Sequence, residues 1–403
     1  MVHTTYSLGM AILKLTLEQA RRFLARKQGL LGKPRFSGKT GVLEYVKQAG
    51  CIQFDPVDVC GKNAEIVLQS RVAGFDKAHL SSLLYKERRL VDYFDKNLAI
   101  WAVEDWPFFE RIRQRYRLAL RGHESVEPVL ESVRHLLCER GPLCSKDIEL
   151  HDKVDWYWST TRLARATLET LYFRGEAVVH HKKNTVKYYA LAGDCLPKAV
   201  LEAADPHVEE LDFLAWRVRR RIGAVGLLWN RASDAWLFID GLKASQREAV
   251  FTKLLADAAI MPLMVDGLKA ALYCLTEDVP LLEASLVERG WQPRVELLAP
   301  LDGFLWDRKL LKALFDFDYT WEIYTPAERR RYSQYTLPVF QSAGFIGRAE
   351  IMADRKQGRL RVMHYWPENG LSPKDEERAV LIDCFDRFRR FHGLAELDLP
   401  AGF

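Results

Sequence analysis

The sequence predicts an α+β fold in which helix-rich units, each closed by a β-hairpin, precede a C-terminal β-rich domain and a terminal helix. Three observations support this prediction. Residues 126–192 show helical and then hairpin patterns, and residues 206–277 repeat that order. From about residue 318 the apolar residues change to a period of two, which is typical of strands.

The clearest unit lies at residues 126–192. VEPVLESVRHLLCERG has apolar residues at helical spacing and stops at Gly141, and SKDIEL is predicted as a short second helix entered through Ser145. STTRLARATLETLYFRG is a third helix that begins near Ser159 and stops at Gly175, and EAVVHHKKNTVKYYALAG reads as a hairpin. This order is that of a winged helix, a helix-turn-helix variant whose third helix enters the DNA major groove.

Basic side chains concentrate on the third helix and the hairpin of this unit. They are Arg162, Arg165 and Arg174 on the helix, and His180, His181, Lys182, Lys183 and Lys187 on the hairpin. Such groups neutralise DNA phosphates. Two alternatives remain open, because winged helices also serve as protein-interaction modules and a basic helix face is often only a solvated surface.

The same order recurs at residues 206–277, where three predicted helices precede a hairpin that turns at Asp266-Gly267. A third copy is considered for residues 16–100, with helices at 18–28 and about 38–49. Tandem winged-helix (helix-turn-helix) units are therefore the predicted architecture. The predicted domains are 1–120 for the first unit, 121–195 for the second, 200–300 for the third, and 301–403 for the β-rich C-terminal domain with its terminal helix.

The C-terminal domain is predicted from alternating apolar residues. YTWEIY, YTLPVFQ, FIGRAEIMADR and GRLRVMHYW are four candidate strands, and an amphipathic helix follows at about 374–392.

Composition and charge narrow the class of protein. The 403 residues are 48% hydrophobic and 28% charged, and no apolar run approaches the roughly 18 residues of a membrane span. The start of the chain lacks the pattern of a secretory signal, which predicts a soluble, cytoplasmic protein. The formal net charge of +5 is compatible with nucleic-acid binding if basic residues share one face. Seven scattered cysteines without CxxC or histidine partners predict reduced core thiols and no metal site.

The apolar stretch GCIQFDPVDVC carries two polar residues, Gln53 and Asp55, at alternate positions. In an extended segment, residues two apart point to the same side, so both side chains would face a common site while Phe54 points into the core. The alternative is structural: buried Gln and Asp side chains often satisfy backbone groups or cap the next element, here just before Pro56.

Several longer stretches resemble the winged-helix DNA glycosylases typified by YcaQ and AlkZ, which act on alkylated bases and unhook interstrand crosslinks. They are ARRFLARKQGL, GCIQFD with VLQSRV, LVDYFDKNLAIWAVEDWPFF, and the long block LDGFLWDRKLLKALFDFDYTWEIYTPAERRRYSQYTLPVF. The family signature is a Gln, an apolar residue, then Asp or Gln, and it matches Gln53, Phe54 and Asp55 in the Asp form of the YcaQ branch. The segment VDYFDKNLA departs from the family pattern, which has a histidine near Asp95.

The resemblance implies hydrolysis of the N-glycosidic bond of alkylated purines in double-stranded DNA. A purine alkylated at N7 or N3 is cationic and already a good leaving group, so excision does not require a general acid. Asp55 would stabilise the oxocarbenium-like sugar and orient or activate a water that Gln53 holds. A monofunctional enzyme of this kind needs no cofactor, metal or Schiff-base lysine, and we expect a monomer that acts at the nucleoid.

Further supporting contacts to DNA are expected from arginines and tyrosines along the chain. With the basic residues Arg162, Arg165, Lys182 and Lys183, the candidates are Arg71, Arg308, Arg329, Arg330, Arg331, Tyr332, Tyr335 and Arg348. Asp307 and Arg308 are interpreted as an internal ion pair, and Trp101 and Trp106 as core residues. The alternative function is a noncatalytic winged-helix transcriptional regulator, in which the QFD motif is structural.

Overall fold

Helices and short strands alternate along the chain, so the predicted mixture of α and β structure is confirmed. In this computed structural model the described residues are 12–119, 123–157, 159–287, 290–368, 370, 373–400 and 403. The α-helices of the described residues are α1 Leu17–Lys27, α2 Gly38–Ala49, α3 Asn63–Gln69, α4 Lys77–Tyr85, α5 Glu110–Leu118, α6 His123–Arg140, α7 Leu163–Phe173, α8 Ala192–Cys195, α9 Lys198–Leu201, α10 Glu210–Val225, α11 Ala244–Ala256, α12 Val279–Val287, α13 Arg308–Phe315 and α14 Asp375–Phe391.

The strands are short and belong to several small sheets. They are β1 Leu13–Leu15, β2 Phe36–Ser37, β3 Ile52–Gln53, β4 Val72–Ala73, β5 Leu90–Asp95, β6 Asn97–Ala102, β7 Lys153–Asp155, β8 Thr160–Arg162, β9 Ala177–Lys183, β10 Val186–Leu191, β11 Ile260–Val265, β12 Leu272–Leu275, β13 Val295–Leu297, β14 Thr336–Gln341, β15 Gly344–Asp354, β16 Arg359–Pro367 and β17 Glu396–Asp398. Turns of 3-10 helix lie at Val103–Phe109, Asp234–Trp236, Thr276–Asp278, Gly303–Leu305, Glu322–Tyr324 and Ala327–Arg329.

Internal contacts divide the chain into two compact units. The central unit is Arg35–Phe213, and the split unit joins Met1–Pro34 to Leu214–Phe403. This division falls within the predicted units 1–120 and 200–300 rather than between predicted domains, whose boundaries stay a prediction.

The central unit contains the QFD motif in a three-stranded antiparallel sheet with the order β3-β6-β5. β5 and β6 form a hairpin, and β3 pairs with β6 so that Ile52 lies opposite Ile100 and Gln53 opposite Ala99. Under the sheet, the ring of Trp101 stacks on Phe109 with centroids 4.4 Å apart. Trp101 and Trp106 are both buried, which confirms their prediction as core residues.

Helix α6, the β7–β8 hairpin, helix α7 and the β9–β10 hairpin follow in that order. The predicted stop of α7 is confirmed at Gly175, whose φ is +76° and where a Cβ would collide with the Arg113 side chain. The predicted second helix at SKDIEL is wrong. The Asp147 carboxylate accepts a hydrogen bond from the Cys144 N–H at 2.8 Å and closes a turn there.

In the split unit, the hairpin predicted around Asp266-Gly267 is confirmed as β11 and β12, and β1 adds to β11 in parallel. Gly267 has a φ of +80°, which its turn requires. The preceding predicted helices correspond to α10 and α11, whereas the short predicted helix between them is only the 3-10 turn Asp234–Trp236.

The C-terminal sheet has the order β13-β14-β15-β16-β17 and contacts α14. Strands β14, β15 and β16 and helix α14 are confirmed, whereas β13 and β17 were not predicted. The rings of Phe317 and Phe345 stack beneath it at 4.0 Å. The strand predicted at YTWEIY is wrong. The Glu322 carboxylate accepts hydrogen bonds from the N–H groups of Arg331 at 2.7 Å and Tyr332 at 2.9 Å, and the segment forms a 3-10 turn.

Two further predictions concern reduced cysteines in the core and the absence of a membrane span. All seven cysteines are free thiols, and five are buried as expected, but Cys138 is exposed and Cys195 is partly exposed. No helix among the described residues is long and apolar enough to cross a membrane.

Candidate active site

The backbone of the QFD motif is held on two sides. Strand β3 ends at Gln53, and the next residue, Phe54, donates its N–H to the Leu98 carbonyl at 2.8 Å. The Gln53 carbonyl accepts a hydrogen bond from Asn63 Nδ2 at 2.8 Å, and Asn63 is buried at the start of α3. Because the peptide group between Gln53 and Phe54 is hydrogen-bonded at both its carbonyl and its N–H, the backbone that leads into Asp55 has a defined position.

Asp55 is half-buried, and its carboxylate is oriented by the chain that follows it. Its Oδ1 accepts a hydrogen bond from the Val57 N–H at 2.8 Å, across Pro56. Burial raises the pKa of Asp55, and the hydrogen bond from Val57 opposes that rise. One oxygen of the Asp55 carboxylate therefore has the structural role considered above, which is to bond a backbone N–H group next to Pro56.

The side chains of Gln53 and Phe54 are also half-buried. Phe54, which is expected to point into the core, is only half-buried, and the ammonium group of Lys182 covers its ring, with Nζ 3.9 Å from the ring centroid. Gln53 and Asp55 are therefore partly accessible, as are the other residues from Phe54 to Val59.

A small pocket adjoins Phe54 within the central unit. It is too narrow to hold a water molecule, and its lining is Phe54, Asp92, Tyr93, Leu98, Ala99, Tyr172, Lys182 and Lys187. We call it the Phe54 pocket. The pKa of Lys187 is lowered, first by burial and then by the charge of Lys182.

Asp92 is the residue of this pocket that sequence reasoning missed. Its carboxylate accepts from Lys182 Nζ at 3.0 Å and from the Tyr85 hydroxyl at 2.7 Å. Asp92 and Lys182 are 90 positions apart in the chain, and neither belongs to the QFD motif. The one sign of this role in the sequence is that Asp92 is a charged residue in the otherwise apolar and aromatic start of β5, LVDYF.

The predicted DNA contacts of the central unit have unequal access to solvent. Arg165 is exposed although it pairs with Glu169 at 2.9 Å, and Lys183 is exposed at the end of β9. Arg162 is partly exposed, with Nη2 2.5 Å from His151 Nδ1.

Arg71 has no exposed surface. Its guanidinium donates to Ser70 Oγ at 2.6 Å and lies 5.4 Å from the Tyr45 ring centroid. A side chain enclosed in this way does not contact a duplex in this conformation, so Arg71 supports the local packing and is left out of the proposed interface.

In the split unit, Arg329 and Arg331 are exposed, while the Arg330 Nε donates to the Thr325 carbonyl at 2.8 Å. Arg308 is also exposed, and its ion pair is not with Asp307. Its Nε lies 3.9 Å from Asp234 Oδ2, whereas Asp307 Oδ1 accepts the Leu310 N–H at 2.8 Å and caps α13.

Arg348 and Tyr335 are buried, so little of either side chain can reach DNA. Arg348 pairs with Glu368 at 3.2 Å and donates to the Asp318 carbonyl at 2.6 Å. It also donates to the hydroxyl of Tyr332, which is half-buried. These contacts give Arg348 a structural role within the C-terminal sheet.

Among the residues that the structure describes, no group of three or more histidine, cysteine, aspartate or glutamate side chains is arranged to hold a metal ion. The expectation that the chemistry needs neither metal nor cofactor stays a prediction.

A comparison with known protein families assigns the chain to a family. Residues 46–391 match the family described as DNA glycosylase AlkZ-like, and this match covers most of the chain. The chain therefore belongs to the AlkZ-like DNA glycosylase family, as the resemblance predicts. Family membership supports a DNA glycosylase, a hydrolase of DNA repair that acts on a DNA substrate.

A solved structure shows the same fold. Streptomyces sahachiroi DNA glycosylase AlkZ is 16% identical in sequence and superimposes with a TM-score of 0.62, covering 96% of this chain and 100% of its own. At this identity the likeness shows a shared fold.

Proposed function

We propose that this protein excises alkylated purines from double-stranded DNA by hydrolysing the N-glycosidic bond, with N7-alkylguanine, including its interstrand crosslinks, as the substrate. Family membership supplies the class of reaction. The observation that carries the proposal is Asp55, a half-buried carboxylate of the family motif, oriented by the Val57 N–H.

The proposed mechanism needs little acid catalysis. Alkylation leaves the purine positively charged, so the base departs without protonation and the sugar develops oxocarbenium character. The negative charge of Asp55 stabilises that sugar and orients or deprotonates a water molecule. The Gln53 amide, which has both a donor and an acceptor, holds the same water.

Asp55 suits this task because its environment makes the carboxylate a better base. Burial raises its pKa, which increases its affinity for the proton of the attacking water. Water as nucleophile yields an abasic site with intact strands, so the proposed enzyme is a monofunctional glycosylase.

DNA binding is proposed to rely on tandem winged-helix units and on the cations that remain exposed. These are Arg165, Lys183, Arg308, Arg329 and Arg331, with Arg162 partly exposed. Each contact to a phosphate releases a counterion and adds to the salt dependence of binding. We propose that the protein acts as a monomer on DNA of the nucleoid.

The proposal is tested with two purified duplexes, one bearing a single N7-methylguanine and one a nitrogen-mustard crosslink. Strand breaks that form only after alkaline treatment are expected, because hydrolysis leaves abasic sites. Breaks before alkali would contradict the monofunctional assignment. Failure to release base from either duplex, despite salt-sensitive binding, would favour the noncatalytic regulator.

A further inference from the structure

Lys182 was predicted as a DNA contact, but its ammonium group is turned into the protein. Nζ lies 3.0 Å from Asp92 Oδ1 and 3.9 Å from the centroid of the Phe54 ring, and only 13% of the side chain is exposed. Lys183, the next residue of β9, is exposed. Successive residues of a strand face opposite sides, so the two lysines serve different surfaces.

Asp92, the partner of Lys182, has a defined position relative to the motif. Its carboxylate accepts the Tyr85 hydroxyl at 2.7 Å, and its carbonyl accepts the Tyr172 hydroxyl at 3.1 Å. Asp92 lies opposite Ile100 on β6, and Ile100 also lies opposite Ile52 of the motif strand β3. The sheet therefore fixes the distance between Asp92 and the motif.

A neighbouring lysine on the paired strand also affects the position of Lys182. Lys187 lies directly opposite Lys182 across β9 and β10, and like charges in such a pair repel. Asp92 neutralises one of the two charges inside the Phe54 pocket. The ammonium group of Lys182 also rests on the negative face of the Phe54 ring, a contact that strengthens when water is excluded.

From these contacts we infer that Lys182 is a positioning residue, which with Asp92 holds Phe54, and through it the adjoining Asp55, in the geometry that excision requires. The inference rests on the proposed function. It assigns two roles to one hairpin, because Lys183 faces DNA while Lys182 holds the catalytic motif.

Single-turnover excision of N7-methylguanine and equilibrium DNA binding at several salt concentrations test this role in the full-length protein. The variants are Lys182→Met, Lys182→Arg, the double variant Asp92→Asn/Lys182→Met, and Lys183→Met. Lys39→Met is the matched control, since Lys39 forms an exposed ion pair with Glu87 at 2.6 Å in the same unit. Thermal unfolding of every variant is measured alongside.

Lys182→Met is expected to slow excision at saturating enzyme by about 10- to 100-fold, a typical effect of displacing a reacting group slightly. Its DNA affinity and salt slope should equal those of wild type, and Lys182→Arg should recover most of the rate. Lys183→Met should instead weaken DNA binding and make its salt slope shallower, while the excision rate at saturating enzyme stays that of wild type. Lys39→Met should match wild type in both measurements.

The double variant decides the case if Lys182→Met fails to fold, because it leaves no unpaired carboxylate in the pocket. A folded double variant that excises at the wild-type rate would overturn the inference. A shallower salt slope for Lys182→Met with an unchanged saturated rate would also overturn it, by showing that Lys182 binds phosphate. If the wild-type protein releases no base, the proposed function itself is refuted. If wild type excises the base and Asp55→Asn does not, the proposed function stands, and the Lys182 variants then test the inference.

Discussion

The Oδ1 atom of Asp55 accepts a hydrogen bond from the N–H of Val57 at 2.8 Å, across the intervening Pro56. This bond orients the carboxylate by local backbone geometry, and no ion pair to Asp55 is found within the described part of the chain. An amide oxygen accepts the same bond, although more weakly than a carboxylate does. Removal of the charge at position 55 can therefore be separated from loss of structure.

Asp55→Asn is expected to leave the melting temperature unchanged or slightly raised at neutral pH. Burial raises the pKa of Asp55 in the folded state, so the ionised carboxylate disfavours folding and the neutral amide does not. The gain in stability of the variant over wild type is therefore present at neutral pH and disappears as the pH falls and Asp55 becomes protonated. Thermal unfolding across this pH range measures it, and a marked loss of stability at neutral pH would show that the charge supports the fold.

Excision by the wild-type protein should fall with acidification, since the mechanism uses the carboxylate form of Asp55. Because burial raises its pKa, the acidic limb should lie above the pKa of an ordinary aspartate, about 3.9. Single-turnover rates at saturating enzyme measure the limb without interference from weakened binding. A rate that does not change through this region, in protein that remains folded, would argue against Asp55 as the base.

Asn63 provides a separate test of how the motif is supported. Asn63→Ala removes the partly buried hydrogen bond from Nδ2 to the Gln53 carbonyl and should lower stability by about 0.5–1.5 kcal/mol, the typical net contribution of one hydrogen bond. Excision should also slow, because the backbone before Asp55 loses one of its restraints. Urea unfolding and single-turnover kinetics report the two effects. Wild-type values for both would show that β-pairing alone positions the motif.

The exposed arginines of the split unit are expected to bind phosphate. Arg329→Met/Arg331→Met should weaken binding and reduce the log–log salt slope by about 0.9 for each phosphate that the variant no longer neutralises. Arg390→Met is the control, since Arg390 is exposed but pairs with Asp386 at 3.0 Å on α14. Fluorescence anisotropy at four or more salt concentrations measures the slope. A slope unchanged from that of the control would remove both arginines from the interface.

Much of the fold was predictable because local patterns agree with the final structure. Helices α2 and α14 follow their apolar spacing, and the hairpin at Gly267 follows its turn residues. Two of the errors arise where a carboxylate accepts hydrogen bonds from the backbone. Asp147 closes a turn in place of a helix, and Glu322 folds a strand-like aromatic segment into a 3-10 turn.

The candidate site was predictable only in part. Gln53 and Asp55 stand out in the sequence because two polar residues alternate in an apolar stretch. The inward position of Lys182 could not be read from the sequence, because a lysine near a hairpin turn looks the same whether it faces solvent or a carboxylate. Its partner Asp92 lies on a distant strand, and only tertiary folding brings the two together.

The most direct test of the central claim compares wild-type protein with Asp55→Asn on a duplex containing one N7-methylguanine, at enzyme concentrations that saturate binding for both. Alkaline cleavage converts each abasic site to a strand break, which gives the rate of excision. We predict excision by the wild type and a loss of about 100-fold or more in the variant, with equal DNA affinity. Equal rates from two folded, DNA-bound proteins would contradict the assignment of Asp55 as the catalytic carboxylate.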